Sequence, residues 1–184
     1  MKVGSHFLQI FFILILCGLL EIVAGRNLGS MDSLFMSLPG LIIMVPPLLG
    51  LRGNLSGSFA SRLGSGVHLG VIDFDNRDQT WREIYENLKA GLILTFLLPI
   101  VIAVFAHLVC MATGLGSIGM VKLIPIAIST SLCSWILLTI VTIAVTWFFT
   151  KRGVDPDNVT TPIVATIGDF VTTGFLFLFT MVIA

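Results

Sequence analysis

The sequence predicts an all-α integral membrane protein with five transmembrane helices. Its 184 residues are 56% hydrophobic and 11% charged, whereas a soluble domain is about 25% charged. Long apolar stretches recur along the chain, separated by short polar joints, and each approaches the roughly 20 residues that a helix needs to cross a bilayer. The predicted spans are residues 7–24, 35–63, 88–113, 123–149 and 162–182.

The first span, residues 7–24, has two readings. Lys2 followed by an apolar run is also typical of a signal peptide. A small-x-small cleavage motif is absent from the sequence here, and the apolar run continues past Glu21 to Ala24. We therefore expect an uncleaved first transmembrane helix.

Basic residues predict the orientation, because cytoplasmic loops carry an excess of Lys and Arg. A cytoplasmic N-terminus leaves Arg26 and Lys122 outside and places the C-terminus outside as well. The formal net charge is zero, which gives no indication of a nucleic-acid partner. We expect a single membrane domain, residues 1–184, without a soluble regulatory domain. The basic residues on the cytoplasmic side would be Lys2, Arg62, Arg77, Arg82, Lys89, Lys151 and Arg152.

The second span, residues 35–63, is rich in proline and glycine. Proline removes a backbone donor and clashes with the preceding turn, so Pro46 and Pro47 predict a helix that bends or unwinds near mid-membrane. Broken helices of this kind often line ion sites. Close packing of glycine-rich helices is the alternative. The other residues behind this interpretation are Pro39, Gly50, Gly53 and Gly57.

Two polar residues follow the proline pair at once. Arg52 has two interpretations, since its side chain either reaches the cytoplasmic face or pairs with a carboxylate inside the membrane. Asn54 provides either a hydrogen bond between helices or a pore-lining oxygen that suits a hydrated cation.

The third and fourth spans contain little that indicates a site. His107 is interpreted as a hydrogen-bonded packing residue. Cys17, Cys110 and Cys133 all lie in apolar stretches without metal-binding spacing, so we interpret them as apolar packing residues.

The fifth span contains Asp169, about 10 Å along the helix axis from Pro162. An ionised Asp at the centre of a membrane helix costs roughly 2.5–3.5 kcal/mol, and a positive group or water must meet it there. A passing cation is the simplest such group. Ala165 and Thr166 lie one turn earlier on the same face and leave room for water or an ion. Glu21, the other carboxylate at membrane depth, is interpreted as an interfacial residue.

Residues 153–169 (GVDPDNVTTPIVATIGD) resemble the start of the last helix of MgtE-type magnesium transporters, and residues 46–63 resemble their second helix. In detail both are more similar to the eukaryotic solute-carrier branch. The resemblance implies a five-helix domain that works as a symmetric or pseudo-symmetric pair, with the ion path along the pair's axis between helices 2 and 5. Thr161, Gly57 and Ser58 replace amide residues of bacterial members. The residues that match the ion path are Asp169 as the metal-binding carboxylate, with Ala165, Thr161, Thr166, Gly50, Gly53, Asn54, Ser61 and Glu86 (Glu83 is the alternative to Glu86).

The resemblance also implies a function. We expect a homodimer in the cell membrane that transports Mg²⁺, or else Mn²⁺, Co²⁺ or Ca²⁺, with Asp169 holding a hydrated ion through its waters. An Na⁺- or H⁺-coupled exchanger and a non-transporting membrane scaffold are the alternatives. An intramembrane aspartyl protease would need two membrane aspartates. Asp169 is the single Asp inside the predicted spans, so we do not expect an enzyme.

Overall fold

The computed structural model describes the backbone of residues 3–74 and 77–183, and their side chains except at 3–6, 9, 77–79, 157 and 158. The described chain is helical throughout, which confirms the predicted class. Its helices are α1 (Val3–Gly29), α2 (Asp32–Ser37), α3 (Leu41–His68), α4 (Arg77–Thr113), α5 (Met120–Lys151) and α6 (Pro156–Ile183).

Within the described residues, four segments are long and apolar enough to cross a membrane, and they correspond to predicted spans one, three, four and five. α3 has the necessary length, at 28 residues, but is not among these four, because Gly, Ser, Asn and Arg dilute its apolar character. The second span therefore stays a prediction as a membrane crossing. The four segments are Ile10–Gly29, Thr80–Thr113, Met120–Lys151 and Val159–Ile183.

The interruption of the second span lies elsewhere than predicted. Of the two predicted outcomes at Pro46 and Pro47, bending or unwinding, unwinding is wrong, since α3 is helical through both. The fixed φ of proline is compatible with a helix. The two prolines lack backbone N–H groups, so two carbonyl oxygens of the preceding turn lose their helical hydrogen bonds. The chain instead breaks between α2 and α3, where Gly40 has a left-handed φ of 102° that favours glycine.

The polar joint between the second and third predicted spans, residues 64–87, is shorter in the structure. α3 continues to His68 and α4 begins at Arg77. Thr80 ties the joint to α4, because its Oγ1 accepts from the Asp73 N–H at 2.9 Å and donates to the Asp73 carbonyl at 2.7 Å.

α5 is the central helix and packs against α4, α6 and α3, whereas α1 packs against α6. The α4–α5 contact is close at one point. A Cβ added at Gly91 would lie 2.0 Å from Cζ2 of the Trp135 ring, so glycine is needed there for the ring to fit. The main apolar core lies where α3, α4 and α5 meet, and its buried residues include Leu41, Met44, Leu48, Ala103, Ala106, Leu123 and Ile126.

α3 and α6 run antiparallel, and this pairing positions the candidate site. At one end His68 Nε2 lies 3.3 Å from Asp155 Oδ1. Further along, a Cβ at Gly57 would meet the Thr161 methyl group at 3.8 Å. This register carries Arg52, about 24 Å along α3 from His68, to the middle of α6.

Candidate functional site

Arg52 of α3 pairs with Asp169 of α6. The Arg52 Nη2 atom donates to Asp169 Oδ1, and Nη1 donates to the Ala165 carbonyl oxygen at 3.0 Å. Arg52 is 7% exposed and the Asp169 side chain is 29% exposed, so the carboxylate is neither sealed nor fully open. Of the two sequence-based interpretations of Arg52, pairing with a carboxylate is confirmed.

Gly168 is what allows the Arg52 side chain to cross α6. A Cβ at this position would lie 2.1 Å from Arg52 Nη1 and 2.6 Å from Cζ, well inside van der Waals contact. From the sequence, a passing cation was the expected partner of Asp169 and a carboxylate was one of two expected environments for Arg52, but the pairing of these two residues was not predicted. An intramembrane Arg with a Gly-Asp pair on another helix was the available signal.

Glu21 of α1 lies beside the same region. Thr166 Oγ1 donates to Glu21 Oε1 at 3.4 Å. Thr166 directly follows Ala165, the acceptor for Arg52. Glu21 thus lies about one helical turn from Asp169 along α6, beside Thr166, and this position was not predicted from the sequence. Glu21, Arg52, Thr166 and Asp169 are called the charged cluster below.

The predicted path residues of α3 share one open stripe. Asn54 and Ser61 are exposed, and a Cβ at Gly50 or Gly53 would meet none of the described atoms within 4 Å. Gly53 and Asn54 lie three and four residues after Gly50, and Ser61 lies seven residues after Asn54, so all four are on one side of the helix. The stripe formed by Gly50, Gly53, Asn54 and Ser61 is called the open face of α3.

On α6, the predicted path residues lie against α3 or against the charged cluster. Thr161 is half-buried beside Gly57, and Ala165 is half-buried and accepts from Arg52 through its carbonyl. Thr166 is buried and donates to Glu21. Ala165 and Thr166 thus lie about one helical turn from Asp169, whereas Thr161 lies about 12 Å from it along α6.

Glu86 lies apart from the charged cluster. It is exposed on α4 and accepts from Lys89 Nζ at 3.3 Å. Its neighbour Asn87 accepts from Arg62 Nη1 at 2.8 Å, and Arg62 is about 15 Å further along α3 than Arg52. The structure therefore does not bring Glu86 to Asp169 within one chain.

His107 is a hydrogen-bonded packing residue, as predicted, since its Nδ1 lies 2.8 Å from Ser117 Oγ. Cys17 and Cys110 are buried. Across the side chains that the structure describes, no three His, Cys, Asp or Glu residues gather into a group able to hold a metal ion. In the charged cluster, the Asp169 carboxylate already pairs with Arg52 and the Glu21 carboxylate already accepts from Thr166.

Comparison with known proteins supports the resemblance noted in the sequence. The family model MgtE, described as a divalent cation transporter, matches residues 45–179. Solute carrier family 41 member 2 of Xenopus laevis is 32% identical over 173 residues, covering 92% of this chain and 30% of that protein. Member 3 of Rattus norvegicus is 31% identical, over 91% of this chain and 37% of that protein. Member 2 of Homo sapiens is 31% identical, over 94% and 30%.

The chain thus spans about a third of the length of these curated relatives. The family match covers α6 with Asp169 and α3 from Val45 onward, which are the helices that form the Arg52–Asp169 pair. With four helices able to cross a membrane, it is a multi-pass membrane protein. It belongs to the MgtE family of transporters, on the side of the eukaryotic solute carriers.

Proposed function

We propose that this chain carries divalent cations, and Mg²⁺ in particular, across a membrane along a path between α3 and α6. The observation that carries the proposal is the partly exposed Asp169 carboxylate, which lies midway along the apolar segment Val159–Ile183. Intramembrane carboxylates are costly and mark ion pathways. Membership of a divalent cation transporter family supports the same function. Mn²⁺, Co²⁺ and Ca²⁺ are the other candidate ions.

The path is formed between two copies of the chain. The open face of α3 carries Gly50, Gly53, Asn54 and Ser61, which are small or polar and suit protein or water better than lipid. A two-fold axis beside it would place the same face of a second chain opposite. In this arrangement α3 also crosses the membrane, as the second of five spans, with the N-terminus cytoplasmic and the C-terminus outside.

The transported ion keeps most of its water. Mg²⁺ dehydrates reluctantly and is usually held through one or two carboxylates plus waters. Asp169 therefore contacts the hydrated ion, and small residues such as Ala165 leave room for its water shell. The membrane potential supplies about 2.3 kcal/mol per charge per 100 mV, so uptake needs no chemical step.

The test is ion uptake into proteoliposomes that contain a Mg²⁺-sensitive dye. We expect Asp169→Asn to reduce uptake at least tenfold, because a neutral amide no longer attracts the cation. Asp32→Asn, the same change at an exposed position of α2, should transport like the wild type. An imposed Na⁺ or pH gradient that drives uptake would indicate a coupled exchanger.

Asp169→Asn alone leaves Arg52 buried without its partner, which costs about 3–5 kcal/mol. The double variant Arg52→Gln, Asp169→Asn removes both charges, so no unpaired buried charge is left to destabilise the fold. Monodisperse elution in detergent checks that each variant is folded. Full uptake by a folded double variant would remove Asp169 from the mechanism, and a folded wild type without any divalent flux would support a scaffold instead.

A further inference from the structure

We infer that Arg52 is a built-in competitor of the transported cation, and that Glu21 is the carboxylate that receives its guanidinium when an ion takes Asp169. The inference rests on the proposed function and deepens it. It assigns roles to two residues, one on α1 and one on α3, that act on the ion through Asp169. Arg52 and Glu21 are thus positioning residues that set the affinity for the ion.

The charges of the cluster provide the first argument. In the structure Arg52 neutralises Asp169, so two such pairs facing each other would present no net charge to a divalent ion. With Glu21 included, one guanidinium and two carboxylates leave one negative charge per chain. Two chains then carry two negative charges, which equals the charge of one divalent cation. Glu21 therefore supplies the charge that Arg52 cancels.

The contacts of Arg52 provide the second argument. Its guanidinium is held from one side, by the Ala165 carbonyl and Asp169, across the gap left by Gly168. Arg52 is only 7% exposed, and its buried Nε–H has no hydrogen-bond partner among the described residues. A buried donor without a partner costs free energy, so the resting position of Arg52 is incompletely satisfied.

Glu21 provides the third argument. Its contact with Thr166 Oγ1, at 3.4 Å, is at the long limit of a hydrogen bond, so the carboxylate is weakly held and able to accept a stronger donor. Through Thr166, Glu21 lies one residue along α6 from Ala165, whose carbonyl accepts from Arg52 Nη1. It also lies on an exposed side of α1 among exposed apolar residues, where a carboxylate requires a polar neighbour.

The test is a double-mutant cycle on the half-saturating Mg²⁺ concentration for uptake, with maximal rates measured in parallel. We expect Glu21→Gln to raise half-saturation about tenfold, because the displaced guanidinium loses its acceptor. Arg52→Gln should lower it about tenfold, because the competitor is gone. In the Arg52→Gln background, Glu21→Gln should change half-saturation less than about twofold. Asp32→Asn and Arg82→Gln, at exposed positions, are the matched controls.

A Glu21→Gln effect of equal size in both backgrounds would overturn the inference, since Glu21 would then act on the ion without Arg52. No effect of Glu21→Gln in the wild-type background would overturn it too. If Arg52→Gln is not recovered folded, Arg52→Lys takes its place. Its single point of contact weakens the competition, so half-saturation should fall, and an unchanged or raised value counts against the inference.

The two proposals fail in different ways. Wild-type protein that shows no divalent uptake removes the proposed function and the inference together. Wild-type uptake that depends on Asp169, combined with additive effects of Glu21→Gln and Arg52→Gln, removes the inference and leaves the proposed function intact.

Discussion

Gly168→Ala tests whether the Arg52–Asp169 pair stabilises the fold. The new Cβ would lie 2.1 Å from Arg52 Nη1, so the guanidinium must move by about 1 Å or more to reach an ordinary contact distance. That movement breaks at least one of its hydrogen bonds to Ala165 and Asp169. A hydrogen bond to a charged group is worth about 1.5–3 kcal/mol. Alanine also favours the helix over glycine by about 1 kcal/mol, which partly hides this loss.

Gly174→Ala is the matched control for this change. Gly174 lies on the same helix, and its added Cβ would meet no described atom within 4 Å, so it reports the helix-propensity gain alone. The difference between the two variants should therefore be about 1.5–3 kcal/mol. In a thermal unfolding scan in detergent this corresponds to a midpoint about 3–12 °C lower for Gly168→Ala.

The comparison is repeated in an Arg52→Ala background, where the clash is gone and the two variants should unfold together. Equal midpoints for Gly168→Ala and Gly174→Ala in the wild-type background would refute the reasoning. A gap that persists without Arg52 would show that Gly168 is needed for another contact.

Two further predictions concern the packing of the chain and of its pair. Gly91→Ala should lower the free energy of unfolding by about 1–3 kcal/mol, because its Cβ would lie 2.0 Å from the Trp135 ring. Gly18→Ala is the control in the same unfolding scan. Its Cβ would meet no described atom within 4 Å, so this change should be neutral or stabilising. Asn54→Cys, in a background without the 3 native cysteines, should cross-link two chains in the membrane with a short thiol reagent, because the proposed two-fold arrangement places the open face of α3 opposite that of a second chain. Ile140→Cys, at a 62% exposed position of α5, should cross-link much less, and equal yields would contradict the two-fold arrangement.

The helical class and four of the five spans were predictable from the sequence. Hydropathy averaged over about 20 residues sums the small transfer free energies of many side chains. It therefore identifies a membrane-crossing helix without information about the contacts of that helix. The structure assigns Thr80–Thr113 and Met120–Lys151 to the spans predicted at 88–113 and 123–149. The additional residues at the start of the first segment include Arg82, Glu83 and Glu86, whose charges lower the mean hydropathy there and hide these residues from that criterion.

The second span was less predictable because its decisive contacts are tertiary. A local rule predicted the helix to bend or unwind at Pro46 and Pro47, but the helix continues through both and the chain breaks at Gly40. Whether a helix tolerates proline depends on what meets the freed carbonyls, and that depends on the fold.

The candidate site was predictable in part. The spacing along one helix was enough to predict that Asp169 lies near Ala165 and Thr166, and the structure places all three in or beside the charged cluster. Arg52 and Glu21 come from two other helices, 117 and 148 positions away from Asp169 in the numbering. Their placement requires the α3–α6 register and the α1–α6 contact, neither of which local sequence contains.

The composition of α3 has a consequence for how the protein enters its membrane. Gly50, Gly53, Asn54 and Ser61 make this helix too polar to partition into lipid alone, and its apolar side needs α4, α5 and α6. All three are synthesised after it. A five-span arrangement therefore requires α3 to remain near the translocation machinery until its later neighbours emerge, so insertion of this chain is a cooperative step rather than a helix-by-helix series.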